Sequence, residues 1–325
     1  MLLSEERPWL VTGAAGFLGS HLVEQLLERS IKVVGLDDLS WGRQQNIAAG
    51  LKHDNFQFVQ ADIRDGEAVS QTLAQFRPSV IVHLAALHYI PAAVANPPLA
   101  LSINVLGTQT ILSAAMKYDV ERLWFASTGD VYAPSETPHN ENDTLEPFNI
   151  YGLSKLQGEQ LMCLMAQSQP TKHFIIGRLF NLYGTRETNP HIIPEILQQL
   201  KLHPDEPLRL GNLWPRRELI PVTDAALAII EMVLASHPGV AIYNVATGMA
   251  QTIQDVIEMI GELCSKPLLV ETDPKKVRLV ERPHLQANVT KLYELLGWTP
   301  NPDLRRGLTE LLRSEGLLKL VQRAS

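Results

Sequence analysis

Tyr151 and Lys155 stand four residues apart in Tyr151-Gly152-Leu153-Ser154-Lys155, a spacing that puts both side chains on one face of a helix. Of the seven tyrosines, only this one has a lysine at that distance. A phenol titrates near ~10, so it acts as a base at neutral pH only with positive charge beside it. An ammonium from Lys155 favours the phenolate, which can then take the proton of an alcohol while hydride leaves the same carbon. Upstream, Thr128 closes an apolar strand-like run and can hydrogen-bond the same oxygen. Asp130 adds a carboxylate, read either as an acid–base group or as a structural cap on the turn after the strand. Alone, the Tyr–Lys pair would be satisfied by a buried tyrosine beside a solvated lysine.

A hydride acceptor is implied near the N-terminus. There a short apolar strand ends at Thr12, followed by Gly13-Ala14-Ala15-Gly16-Phe17-Leu18-Gly19 and an amphipathic run to Arg29. Gly13 permits the tight strand-to-helix turn, Gly16 lets backbone approach a pyrophosphate, and Gly19 lets helix pack on sheet. The helix start, with Phe17 and Leu18, offers free N–H groups and a positive dipole end to phosphates. A second strand, Ile31 to Leu36, ends in Asp37-Asp38, where an acid meets the adenosine ribose. That acid favours NAD, because it would repel the 2′-phosphate of NADP. The other reading is an ordinary turn followed by a solvated acidic loop.

The chain has 325 residues, 45% hydrophobic and 19% charged, with a formal charge of −7. This is the composition of a soluble globular protein of one large or two smaller domains. The negative balance argues against a nucleic-acid surface. No apolar stretch is expected to approach the ~20 residues of a membrane span, and Glu5 and Glu6 break any signal-peptide pattern. A cytoplasmic location is the expectation. Cys163 and Cys264 have no metal spacing, and Cys163 reads as a small buried hydrophobe. No metal site is expected.

These residues must be positioned by alternating elements. Strand-like runs at Phe56–Val59, Val80–Leu84, Leu123–Ala126 and Phe174–Leu179 alternate with helical patterns at Glu67–Phe76, Leu99–Tyr118 and Tyr151–Gln167. Alternation of this kind implies a doubly wound parallel α/β sheet of Rossmann type. After about Thr185, prolines break the chain into short pieces, with helices near Ile192–Leu200, Thr252–Cys264 and Leu304–Leu318. The expected division is a dinucleotide-binding domain over 1–185 and a smaller mixed α/β substrate lobe over 186–325, interleaved, with a cleft between them.

The ordered motifs resemble the extended short-chain dehydrogenases that modify nucleotide sugars, the family typified by UDP-galactose 4-epimerase, over nearly the whole chain. Thr12-Gly13-x-x-Gly16-x-x-Gly19 is similar to the family's phosphate loop, and Leu36-Asp37-Asp38-Leu39-Ser40 to its ribose segment. Ala61-Asp62-Ile63 resembles the adenine segment, and His83-Leu84-Ala85-Ala86 the strand end beneath the cofactor. The resemblance further implies that Asn104 supports the site. It also implies that Ala126 borders the cofactor, that Thr128 is the catalytic hydroxyl, and that Lys155 holds the nicotinamide ribose. Arg178-Leu179-Phe180-Asn181 resembles the segment whose asparagine touches the sugar diphosphate, and Arg217 and Arg282 fall where arginines reach it. His191 and Ile192 match a nucleotide-contacting stretch, and Leu208-Arg209-Leu210 a strand along the base. His88 borders the sugar or simply enters a helix.

The resemblance implies an NAD-dependent 4-epimerase acting on a nucleotide-diphosphate sugar, UDP-linked by preference, through a transient 4-keto sugar. It also implies a homodimer built on the helices at Leu99–Tyr118 and Tyr151–Gln167. Asp130 keeps a 4,6-dehydratase or a decarboxylase on the same scaffold open, since those enzymes usually carry glutamate there. A non-catalytic NAD-binding sensor would not need Thr128, Tyr151 and Lys155 together.

Overall fold

The apolar runs of the first half become strands covered on both faces, which is why they lack the alternation of a half-exposed sheet. The computed structural model describes residues 7–187, 189–277 and 281–318. The first half runs β1 (Trp9–Thr12), α1 (Phe17–Glu28), β2 (Val33–Asp37), β3 (Phe56–Gln60), α2 (Gly66–Phe76) and β4 (Val80–His83). It continues with α3 (Ile90–Ala95), α4 (Pro97–Leu101), α5 (Thr108–Lys117), β5 (Arg122–Thr128), α6 (Ile150–Ser168) and β6 (His173–Leu179). Next come β7 (Asn181–Tyr183), α7 (Ile192–Leu202), β8 (Leu208–Leu210), β9 (Arg216–Pro221), α8 (Val222–Ala235) and β10 (Gly239–Val245). The chain ends with β11 (Ala250–Thr252), α9 (Ile253–Leu263), β12 (Val270–Thr272), β13 (His284–Leu285), α10 (Thr290–Leu296) and α11 (Leu304–Ser314).

Among the described residues, seven parallel strands form the main sheet in the order β10-β6-β5-β4-β1-β2-β3. The winding direction changes between β1 and β4, whose ends Thr12 and His83 lie in register. In open α/β sheets the ligand crevice lies outside the carboxyl ends of the strands at that point. Helices α1 and α8 cover one face through Leu22, Leu26, Ile230 and Val233. On the other face α2, α5 and α6 contribute Leu73, Ile111 and Met162. A separate core of Ile196, Leu210, Val256, Ile257 and Leu308 belongs to the C-terminal lobe. That lobe is built on β9, which pairs with β7, β11 and β13, and on the β8–β12 pair.

Past β7 the chain does not stay in the second lobe. Helix α8 packs on α1, and β10 adds the outermost strand beside β6. Neither α8 nor β10 stood out from the sequence.

The helix read over Leu99–Tyr118 begins at Pro97, where Asn96 Oδ1 accepts from Leu99 N (3.2 Å). It widens into a π-helical turn over Ser102–Gly107 before α5. By length and composition the 21 residues Pro97–Lys117 match a membrane-crossing helix, contrary to expectation. Here 44% of its apolar window is buried inside the protein. The terminal helix stops at Ser314 rather than Leu318, because Gly316 takes a left-handed φ of 72°. Cys163 is half-buried rather than fully enclosed.

Candidate active site

The cofactor end of the site is made of backbone. Gly13 has φ 71°, and a methyl there would meet the Ala85 amide nitrogen at 2.9 Å. At Gly19 a methyl would lie 2.0 Å from the Gly13 carbonyl oxygen, so helix and loop touch directly. Helix α1 starts without a side-chain cap, leaving its N-terminal dipole for an anion. Asp37 ends β2 buried, its carboxylate accepting from Ala15 N (2.9 Å) and Leu39 N (2.8 Å). Burial raises its pKa, which the two backbone bonds counter. Asp37 therefore also fastens the phosphate loop to the second strand. Asp38 accepts from Ser40 N and Oγ. This cradle fits a dinucleotide.

One cavity of about 440 Å³ runs from this cradle to the C-terminal lobe. Gly13, Gly16, Phe17, Leu18, Gly19, Asp37, Asp38 and Ser40 line it, as do Asp62, Ile63, Leu84, Ala85, Ala86 and Ala126. Leu39 and Asn104 do not. Leu39 turns the chain with φ 62°. Asn104, in the π-helical turn, accepts from Leu87 N (2.7 Å) and donates to Leu87 O (3.1 Å) and Ser154 Oγ (2.9 Å). It ties the segment after β4 to the helix carrying Tyr151.

Thr128, Asp130, Tyr151 and Lys155 meet in the middle of the cavity. Asn149 Oδ1 caps α6 at Gly152 N (2.8 Å) and sets where the helix starts. Thr128 hydrogen-bonds the Tyr151 phenol, and its Oγ1 also accepts from Asp130 N at 3.2 Å. The cap on this turn is thus Thr128, not Asp130. Lys155 is buried, with Nζ 4.9 Å from the centroid of the Phe125 ring. Burial lowers its ammonium to about 7. The expected lowering of Tyr151 is not what the protein alone produces. Burial, then the charge of Asp130, push the phenol up, outweighing its hydrogen bond to Thr128. A positive nicotinamide is what would reverse that balance.

Toward the C-terminal lobe, Asn181, His88, His191, Ile192 and Arg217 line the cavity. Arg217 Nη2 donates to Glu281 Oε1 at 2.6 Å. His191 stacks on Tyr89 (5.7 Å between centroids) and meets His88 edge-on. Burial and the neighbouring His191 lower His88 to about 4, so at neutral pH its Nε2 accepts from Asn189 Nδ2 (2.9 Å).

Three residues expected to bind substrate lie outside the lining. Leu208 points into the lobe's own core, and Arg209 between its buried neighbours is exposed. Strand alternation sends them to opposite sides, neither of which is the cavity. Arg282 is buried and donates to the carbonyls of Tyr132 (2.6 Å) and Gly129 (3.4 Å), with its guanidinium over Phe148. It braces the catalytic loop from behind.

Sequence reasoning passed over a buried ion pair beneath the trio. Glu159, one turn past Lys155, accepts from Arg178 through Nε (2.9 Å) and Nη2 (2.7 Å), and from Ser127 Oγ. A charged residue inside Phe174-Ile175-Ile176-Gly177-Arg178-Leu179 was the available signal, since a buried strand rarely holds an unpaired arginine.

Fold and site together define a dinucleotide-binding short-chain dehydrogenase scaffold with an added substrate lobe. The family model described as GDP-mannose 4,6 dehydratase matches residues 10–311. UDP-glucose 4-epimerase of Mycolicibacterium smegmatis is 32% identical over 308 residues, 93% of this chain and 96% of that protein. The UDP-glucose 4-epimerase of Thermus thermophilus, solved in complex with NAD, is 30% identical. It superposes with a TM-score of 0.84 over 95% of this chain and 99% of its own. A dTDP-glucose 4,6-dehydratase from Streptomyces venezuelae, with NAD bound, is 27% identical with a TM-score of 0.84, over 94% of this chain and 95% of its own. The chain belongs to this family, the extended short-chain dehydrogenases that epimerise or dehydrate nucleotide sugars.

Proposed function

We propose that this protein is an NAD-dependent nucleotide-sugar 4-epimerase that works through a transient 4-keto sugar, with a UDP-sugar as the preferred substrate. The observation that carries the reading is the meeting of Thr128, Tyr151 and Lys155 in one cavity that joins the glycine cradle to Arg217. Gly13, Gly16, Gly19 and the α1 N-terminus would hold NAD, which when bound supplies a hydride acceptor and a positive ring. Tyr151 takes the proton of the C4 hydroxyl, and Thr128 holds the same oxygen through the keto stage. Lys155 supplies positive charge to the phenolate and holds the nicotinamide ribose. Arg217 and Asn181 anchor the diphosphate, so that the freed keto sugar turns over without leaving and takes the hydride back on its other face. Asp37, beside the adenosine ribose, disfavours NADP.

Asp130 favours a second reading. Its charge bears on Tyr151, and a carboxylate there could act on a neighbouring carbon after oxidation, giving a 4,6-dehydratase or a decarboxylase. Incubation with UDP-, GDP- and dTDP-sugars decides between them by product mass. Unchanged mass with a new isomer supports epimerisation, loss of water supports dehydration, and loss of CO2 supports decarboxylation. Denatured protein is expected to release NAD; release of none, with NADP preferred in titration, overturns the cofactor assignment.

We further infer a homodimer. Leu106 in the π-helical turn and Leu153 and Leu164 on α6 are 57%, 40% and 61% exposed, apolar surface that a second copy would cover. Sedimentation at micromolar concentration tests this, and a monomer alone overturns it.

A further inference from the structure

Tyr151, Lys155 and Glu159 follow one another at four-residue intervals on α6 and so share one face of the helix. A lysine and a glutamate at that spacing are natural ion-pair partners. Here they are kept apart. Both oxygens of Glu159 are engaged: Oε1 by Ser127 Oγ and Arg178 Nε, Oε2 by Arg178 Nη2. Arg178 is itself fixed, donating to Glu141 O (2.8 Å) and lying 4.7 Å from the Tyr132 ring centroid. Lys155 Nζ is turned to the Phe125 ring instead.

We propose, resting on the catalytic roles given above, that Arg178 is a positioning residue that sequesters Glu159. By occupying that carboxylate it denies Lys155 a permanent partner and leaves the ammonium to serve Tyr151 and the cofactor ribose. The same carboxylate, through Ser127, anchors the strand end that presents Thr128. A bidentate guanidinium suits this task because it fills both oxygens in one plane, where a lysine would leave one open.

The charged and titratable neighbours are few. Lys155 is faced by His83 at the end of β4 and by His88 in the segment after it, and Tyr151 by Asp130. Glu159 is faced by Arg178 from β6, Ser127 from β5 and Cys163 on its own helix, with Tyr132 and Glu141 near Arg178. Burial alone accounts for the lowering of Lys155, with no opposing contribution from Glu159.

The test is the ionisation midpoint of Tyr151 in NAD-loaded protein without substrate. It is read as the phenolate ultraviolet difference spectrum against a Tyr151→Phe partner of each variant. In Arg178→Gln the released Glu159 recruits Lys155, so the midpoint rises. The acid limb of the kcat profile moves to higher pH with it, lowering kcat about tenfold per unit at pH values below the limb. In the double variant Glu159→Gln/Arg178→Gln the competitor is gone, and both midpoint and limb return to the wild-type position. Arg178→Lys, which keeps the charge but leaves one carboxylate oxygen open, shifts the midpoint in the same direction by less; it decides the matter if Arg178→Gln does not fold. An unmoved midpoint in Arg178→Gln, or in Arg178→Lys where that variant decides, overturns the proposal, as does a double variant that stays displaced. The catalytic reading fails separately, by wild-type protein that turns over no nucleotide sugar, and the spectroscopic midpoint is still measurable in that case.

Discussion

The two ends of the cavity are built by different means. At the cofactor end the wall is backbone: Gly13 and Gly19 leave no room for a methyl group, and Asp37 is spent holding the loop to β2. At the sugar-nucleotide end the wall is side chains on short strands and loops, with Arg217 reaching from β9 and His191 from the start of α7. A backbone wall recognises an invariant pyrophosphate, and any side chain spoils it. A side-chain wall can be altered one group at a time, so its failures are graded. The chemistry stands at the boundary, with Thr128 on a rigid central strand and Tyr151 on the helix beside it.

The largest expected effect lies at that boundary. Tyr151→Phe keeps the ring and removes the proton acceptor, so kcat should fall by roughly two to four orders of magnitude. Nucleotide-sugar affinity, measured by calorimetry, should stay within a few-fold. Loss of binding together with turnover would make Tyr151 an architectural residue and erase the boundary.

Next come the two walls. Gly19→Ala forces a methyl against the Gly13 carbonyl, an overpacking that costs about 1–3 kcal/mol. The prediction is NAD lost on purification and a lower Tm, with no compensation by added sugar nucleotide. Arg217→Met should raise KM for the sugar nucleotide about ten- to hundredfold, matching the ~1.5–3 kcal/mol of a hydrogen bond to a charged group. Its kcat and bound NAD should barely change. If Arg217→Met also loses NAD, the two ends are not independent and the contrast fails.

Reading these walls from sequence was unequal for the same physical reason. The glycine spacing, the buried parallel strands and the Tyr–Lys pair are local patterns, fixed by steric limits and helix geometry. The lobe depends on which strand pairs with which, and three-residue strands such as β8 and β12 carry too little pattern to say. The family resemblance puts Leu208 and Arg209 along the base, whereas pairing with β12 turns them away from the cavity. The family resemblance puts Arg282 at the diphosphate, and only the tertiary fold shows its Nη1 and Nη2 donating to carbonyls. Glu159 and Arg178 were hidden for a similar reason, being partners separated by a helix end and a turn.

The smaller predictions refine the boundary. Asp130 raises the Tyr151 pKa, so Asp130→Asn should let the phenolate form at lower pH and move the acid limb of kcat toward acid. For an epimerase, turnover on the plateau should fall only modestly. For a dehydratase, the variant should transfer hydride and stall, visible as NADH absorbance without product.

The central claim, that one hydride leaves C4 and returns to it, is tested most directly by the product formed in D2O from the sugar nucleotide the enzyme accepts. The account predicts an isomer inverted at C4 that, once its hydroxyls are exchanged back into water, has unchanged mass and no deuterium on carbon, because the transferred hydrogen never exchanges with solvent. A product that has lost water or CO2, or that carries deuterium on a ring carbon, would contradict it.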